Sequence, residues 1–325
     1  MHRRRALTAL LATLASPFAV PVAHAQSYPS RPVTIVVPAA AGGGIDFTAR
    51  LVAGKLQDAL GTPFVVENKG GASGNIGTQA VARAAPDGYT LLLAISGNHV
   101  TNPALFASLG WDPLRDFSGV SMIMRAPHVI VVHKDSPINS LRELADYARQ
   151  NPDKLNYASP GVGTQNQIAS ELFAQMANVQ IGAVPYRGTG PALTDLINGT
   201  VGMFINTTQS LMGPLQGGAI KGLAVTSPTR HALLPNVPTT AEAGFPGLEI
   251  DTWYALYAPA GTPKEVIDFL AGEIRKIAAT EDFKTRVGQS GATLFSLGPD
   301  ELDKFTAAEL TRWTGIIRKL GITAQ

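Results

Sequence analysis

The stretch V33-T-I-V-V-P-A-A-A-G-G-G-I-D46 decides the fold. Val33 to Val37 is a run of β-branched residues, which suit a pleated, buried surface and predict a strand. Gly42, Gly43 and Gly44 form a glycine-rich turn, and a helical pattern starts at Asp46. Phe47, Leu51, Leu56 and Leu60 recur at spacings of four and five, which predicts one apolar helical face. Gly61 supplies a left-handed stop and Pro63 lies just beyond it. Phe64 to Val66 then reads as a second strand, Asn75 to Ala84 as a second helix and Tyr89 to Ile95 as a third strand. This β-α-β-α-β order implies parallel pairing through right-handed crossovers.

The same theme returns further on. Asn156 to Ser159 predicts a strand, Pro160 to Gly163 a turn, and Thr164 the N-cap of a helix carrying Ile168, Leu172, Phe173 and Met176. Ile181 to Tyr186 is a strand, and Pro191 stands at a predicted N1 position of a short helix that ends by Gly199. Val201 to Asn206 and Leu223 to Thr226 complete this set, and Glu265 to Ala279 and Asp300 to Leu320 are helical. No flexible linker separates the two α/β units. The apolar runs Val120 to Val132 and Trp253 to Pro259 read as crossover strands, so the first unit is discontinuous and is completed by the C-terminal helices. The expected division is residues 26–125 plus 252–325 as lobe I and 126–251 as lobe II. Ligands of open parallel sheets sit at the carboxyl ends of the strands, so two such lobes enclose a cleft.

Composition narrows the chemistry. The 325 residues carry 26 Lys+Arg, 24 Asp+Glu and no Cys. That excludes disulfides, thiolate metal sites and a cysteine nucleophile, and it offers no basic footprint for nucleic acid. Arg3, Arg4 and Arg5 followed by an apolar run to Val22 and then Ala23-His24-Ala25 have the form of a secretory signal over residues 1–25. Pro17 and Pro21 argue against a spanning helix. The segment holds three Arg and no acid, so its removal takes the formal charge from +2 to −1.

Enzyme signatures are absent from the pattern. There is no phosphate-binding G-x-x-x-x-G-K-[ST], Asn166 stands where a dinucleotide fingerprint needs its third Gly, and Tyr157 stands where a nucleophile elbow needs Gly. His99, His128, His133 and His231 have no partner at metal-ligand spacing. No catalytic set, metal site or cofactor is expected. What recurs is a strand–turn–helix junction of small and hydroxyl residues: Gly42, Gly43, Gly44 and Asp46; Ser159, Gly161, Gly163 and Thr164; Arg187, Gly188, Thr189 and Gly190. Helix amino ends present unpaired N–H groups and a positive dipole end that suit a carboxylate, although tight α/β connections also use such turns.

At these residues the chain resembles the periplasmic solute-binding receptors of tripartite tricarboxylate transporters, the Bordetella uptake gene-type extracytoplasmic receptors. The similarity runs through YPSRPVTIVVP, GGGID, VVENKGGASGNIGTQAVARAAPDGYTLL, NPALF, DPLRDF, YASPGVGT, VPYRGTGPALTDL, LAVTSPTRHALLPNVPTTAEAGFPG and APAGTP. It implies an α/β, two-lobed, type II-like periplasmic binding protein fold, with two Rossmann-like lobes joined by two crossover strands. The implied function is capture of a small organic acid, a di- or tricarboxylate, hydroxy acid or aromatic acid, and its delivery to membrane permease subunits. A periplasmic monomer that is not an enzyme is the expectation; a secreted α/β hydrolase or isomerase on a similar scaffold is the alternative.

The resemblance also implies a site. Gly42, Gly43 and Asp46 match the family's first binding turn, Ser96 and Asn98 its second contact, and Ser159, Gly163 and Thr164 the loop of the other lobe. Asn206 departs, since the family commonly has Asp there; Gln167 stands where many members have His and Ile45 where many have Thr. Ala39 to Ala41 replace a bulkier run. Asn at 206 removes a charge that would pair with a ligand ammonium, so a ligand without a cationic amine is expected.

Overall fold

The computed structural model describes residues 28–106, 108–161 and 163–322. The expected signal segment, residues 1–25, lies outside the described residues. The chain runs β1 (Val33–Val37), α1 (Gly44–Leu60), β2 (Phe64–Asn68), α2 (Asn75–Ala82) and β3 (Thr90–Ile95), then a π-helical turn at Gly97–Thr101 that continues into α3 (Asn102–Leu105). Next come β4 (Phe117–His133), α4 (Leu141–Gln150), β5 (Asn156–Ser159), α5 (Gln165–Ala177), β6 (Gly182–Pro185), α6 (Thr189–Ile197), β7 (Phe204–Thr207), α7 (Thr208–Gln216) and β8 (Ile220–Val225). The chain closes with β9 (Asp251–Pro259), α8 (Lys264–Ala279), α9 (Glu281–Gln289), β10 (Thr293–Leu297) and α10 (Pro299–Leu320).

The first lobe is built on the strand order β10-β4-β9-β3-β1-β2, in which β1 pairs parallel with β2 and β3 while β9 runs antiparallel to both β3 and β4. In the second lobe β4 pairs antiparallel with β7 and β8, and β5 pairs parallel with β6 and bridges Met203, just ahead of β7. Strand β4 therefore serves both lobes. From Phe117 to Pro127 it lies against β9, and from His128 to His133 against β7 and β8. At about 3.3 Å per residue its 17 residues span about 55 Å. It is buried almost without alternation, as a strand covered on both faces must be.

Side-chain parity sorts the core. Val33, Ile35, Val37, Leu91 and Leu93 face α1 and α8, whereas Val36, Leu92 and Ala94 join a second cluster with Val81 and Trp313. That second cluster continues along β4 through Ile130 and Val132 to Tyr157, Ile168 and Phe173, so one apolar core runs from lobe to lobe. Val129 and Val131, on the opposite face, pack with Ala192, Leu196, Phe204 and Leu211.

The structure differs from the sequence reading at several elements. The buried stripe of α1 is Ile45, Ala49, Val52 and Leu56, while Phe47 is 41% exposed; the true 4-3-4 spacing runs through small residues that let α1 lie close to the sheet. Pro191 is the third residue of α6, not the first, because Gly188 (φ 109) makes the turn and Thr189 opens the helix. The strand expected over Val201 to Asn206 is Phe204–Thr207. Helices α4, α7 and α9 and strand β10 have no counterpart among the elements expected from sequence.

Candidate functional site

The carboxyl end of β1 leads through Gly42, whose φ of +90° favours glycine, into an α1 whose N-cap, Gly43, has no side-chain cap. Asp46 organises this turn. Its Oδ2 accepts from the Gly42 N–H (3.0 Å) and Arg50 Nε (3.1 Å), and its Oδ1 accepts from Asn68 Nδ2 (2.9 Å) and lies 3.1 Å from Arg50 Nη2. Burial works against the charge, but the Arg50 guanidinium, the Gly42 N–H and the Asn68 amide together hold the Asp46 carboxyl below the usual carboxylate range. Both oxygens are thus engaged within lobe I. The first-turn N–H groups of α1 have no intrahelical acceptor and no capping side chain. A side chain at Gly44 would collide with Gln209 Oε1 and Tyr254 Oη, so lobe II and the crossover strand β9 press directly on this helix end.

Ser96 and Asn98 follow β3. Asn98 Oδ1 accepts from the Ile95 N–H (3.1 Å) and folds the loop back on its strand. Ser96 is fully buried and donates to Gln165 Oε1 (2.6 Å), on the first turn of α5 in the other lobe. The turn after β5 is self-braced. Ser159 Oγ (3.3 Å) and Thr164 Oγ1 (2.8 Å) both donate to the Gly161 carbonyl, Thr164 caps α5 by accepting from the Gln167 N–H (3.4 Å), and Gly163 N–H donates to Gln167 Oε1 (2.8 Å).

Asn206, next to last in β7, has 4% of its surface exposed. Its Oδ1 accepts from the Thr207 N–H (2.7 Å) and its Nδ2 donates to Thr189 Oγ1 (3.1 Å), which ties β7 to the start of α6. Helix α6 has Gly188 at its N-cap with no side-chain cap. Thr207 caps α7 and is hydrogen-bonded to Tyr254, whose hydroxyl burial pushes far up in pKa.

The expected residues thus fall into three groups. Gly42, Gly43 and Asp46 form the α1 turn; Ser96, Ser159, Gly163 and Thr164 meet where lobe I touches the start of α5; Asn206 lies with Thr189 at the start of α6. Asn98 is engaged with its own strand end. Gln165, Gln209, Thr207 and Tyr254 were not singled out from sequence, since a glutamine in a first helical turn carries no motif. Thr189 belongs to a turn that was. Among the described residues no group of three or more His, Asp or Glu could hold a metal ion, and no helix is long and apolar enough to cross a membrane. Two surface cavities, of about 410 Å³ beside Trp111 and Arg318 and about 370 Å³ beside Phe47 and Lys55, include none of the expected site residues.

Known proteins share this architecture. The model of the tripartite tricarboxylate transporter family receptor matches residues 48–322. Protein BugT of Bordetella pertussis is 36% identical over 304 residues, 93% of this chain and 93% of that one. The structure of R. palustris Rpa4515 with adipate superposes with a TM-score of 0.88 at 37% identity, covering 91% of this chain and 99% of that chain. MatC (Rpa3494) from Rhodopseudomonas palustris with bound malate gives a TM-score of 0.83 at 33% identity, covering 89% and 100%. With its two α/β lobes, its paired crossover strands and a family match over most of its length, the chain belongs to the tripartite tricarboxylate transporter family of receptors.

Proposed function

We propose that this protein is a periplasmic receptor that closes on a small organic carboxylate and delivers it to the permease of its transporter, without transforming it. The observation that carries this reading is the pair of uncapped, glycine-bearing helix ends, α1 at Gly43 and α6 at Gly188, with neutral Asn206 bonded to the second. Free N–H groups and a dipole end in a water-poor cleft bind a carboxylate by charge-assisted hydrogen bonds, which are roughly twice as strong as neutral ones. The lobes divide near residues 126 and 252, a boundary supported by the change of β4 partners after Pro127 and the start of β9 at Asp251. Gly42, Gly43, Ser96, Asn98, Ser159, Gly163, Thr164 and Asn206 line or brace the site, and Asp46 acts by shaping the first turn.

Adipate and malate, present in the two solved relatives, are the first candidate ligands. Because Asn206 supplies no charge for an ammonium, dicarboxylates and hydroxy acids are favoured over amino acids. A thermal-shift panel of adipate, malate, aspartate and glutamate tests this. A ligand at 100 times its dissociation constant stabilises by about 2.7 kcal/mol. Stabilisation by aspartate or glutamate alone would overturn the ligand assignment. Recovery of a chemically altered ligand would overturn the receptor reading.

A further inference from the structure

We propose that Gln165 is an interlobe latch that sets how readily the cleft closes, a role that rests on the receptor reading above. Three segments meet at its side chain. Oε1 accepts from Ser96 Oγ (2.6 Å), in the loop after β3 of lobe I, and from Thr252 Oγ1 (2.9 Å), on the crossover strand β9. Gln165 itself opens α5 of lobe II. All three are deeply buried, with 0%, 5% and 3% of the surface of Ser96, Thr252 and Gln165 exposed. Thr252 pairs with Ala126, beside the point where β4 changes lobes, so the latch sits at the junction between them.

The balance of this site is what makes it a latch and not a weld. Two hydroxyl donors hold the amide oxygen, while the amide Nε2 is buried without a partner among the described residues. A buried donor stripped of water costs about as much as one or two such bonds contribute. Opening the cleft breaks both hydroxyl bonds and wets the amide, so the two states stay close in free energy. A ligand then shifts the equilibrium by its differential affinity for the closed state.

The test uses spin labels on cysteines introduced at exposed Asp58 and Lys154, one in each lobe, in a chain that has no cysteine of its own. Interlobe distances are measured without ligand and with saturating malate or adipate. Ser96→Ala and Thr252→Val each remove one donor and leave the amide buried, so each lowers the closed-to-open ratio by about 2- to 10-fold and raises the ligand off-rate to match. Adding Gln165→Met to the Ser96→Ala/Thr252→Val pair replaces the stranded amide with an apolar side chain of similar length and restores closure. Generic loosening of the packing gives no such rescue. Unchanged distances in both single variants, or further loss on adding Gln165→Met, overturn the latch. The ligand-free distances test it whether or not malate or adipate binds, so failure of the ligand assignment shows separately.

Discussion

Leu105 and Gly163 meet across the lobes: a Cβ added to Gly163 would come within 2.5 Å of Leu105 Cδ1, and Gly163 holds a φ of +77°. Glycine is required here twice over, for its backbone conformation and for the approach of α3. Gly163→Ala is therefore expected to weaken ligand binding at least tenfold by titration calorimetry, combining about 1–2 kcal/mol of left-handed strain with the steric contact. Leu105→Ala in that background recovers part of the loss, because it relieves the contact and not the strain. No recovery would show that the cost lies wholly in the backbone.

Asp46 ties the first turn together, and its ionised form is the one stabilised. Its folded pKa is depressed, so its contribution is fully present above the unfolded carboxyl value of about 3.9 and is lost as pH falls through the lower folded value. Asp46→Asn is expected to cost about 1–3 kcal/mol at pH 7, measured by urea unfolding. It should also flatten the decline in stability below pH 4. An unchanged acid limb would remove Asp46 from the acid response.

Two buried histidines set a second acid response, which begins at higher pH. His99, enclosed by Trp111, Phe117, Trp253 and Tyr257, is pushed down to about 3 by burial. His128 is pushed down to about 4 by burial, against a weak raising effect of the Ile250 carbonyl. Both are neutral when folded and protonate below about 6.5 when unfolded, so the stability they contribute is complete above that pH and falls as pH drops. Each costs about 1.4 kcal/mol per pH unit on the way down. His99→Phe, which suits its aromatic surroundings, should make the decline between pH 6.5 and 5 shallower. An equal slope in both proteins would show that His99 is not the source.

Asn206 is the position where charge decides ligand class. Asn206→Asp should lower affinity for a dicarboxylate at least tenfold, since a carboxylate beside the start of α6 both repels the ligand and competes for its donors. Calorimetry at two salt concentrations checks this: a loss that persists at high salt fits a buried site, because buried charges are little screened. An unchanged affinity would place the ligand away from Asn206.

Much of the scaffold was legible because strand and helix signals there are local. Val33 to Val37 and Asn156 to Ser159 fall where the β-branched run and the turn residues put them, and Gly61 (φ 67) stops α1 as its position indicated. Helix α7 was not legible, since it begins directly after β7 and holds Pro214 inside it. Its N-cap, Thr207, accepts from the Ser210 N–H, but its neighbours Asn206 and Thr208 are capping residue types too, so the sequence does not single it out. The site was readable as a set of turns but not as a set of contacts. Gln165 and Gln209 gain their meaning only from Ser96 and Gly44, residues 69 and 165 positions away that the fold brings alongside.

The strand order β4-β9-β3 has a consequence for how the molecule comes into being. Residues 90–95 and 117–133 are neighbours in the chain, yet in the finished sheet residues 251–259 stand between them. Until that late segment arrives, β3 and β4 each present an open edge with nothing to pair, and the first half of the chain has no complete sheet to fold into. Assembly waits on a contact between distant parts of the sequence, which is intrinsically slow. A chain stopped before Asp251 has no way to complete its first lobe, so the last quarter of the sequence acts as the keystone that starts the native state.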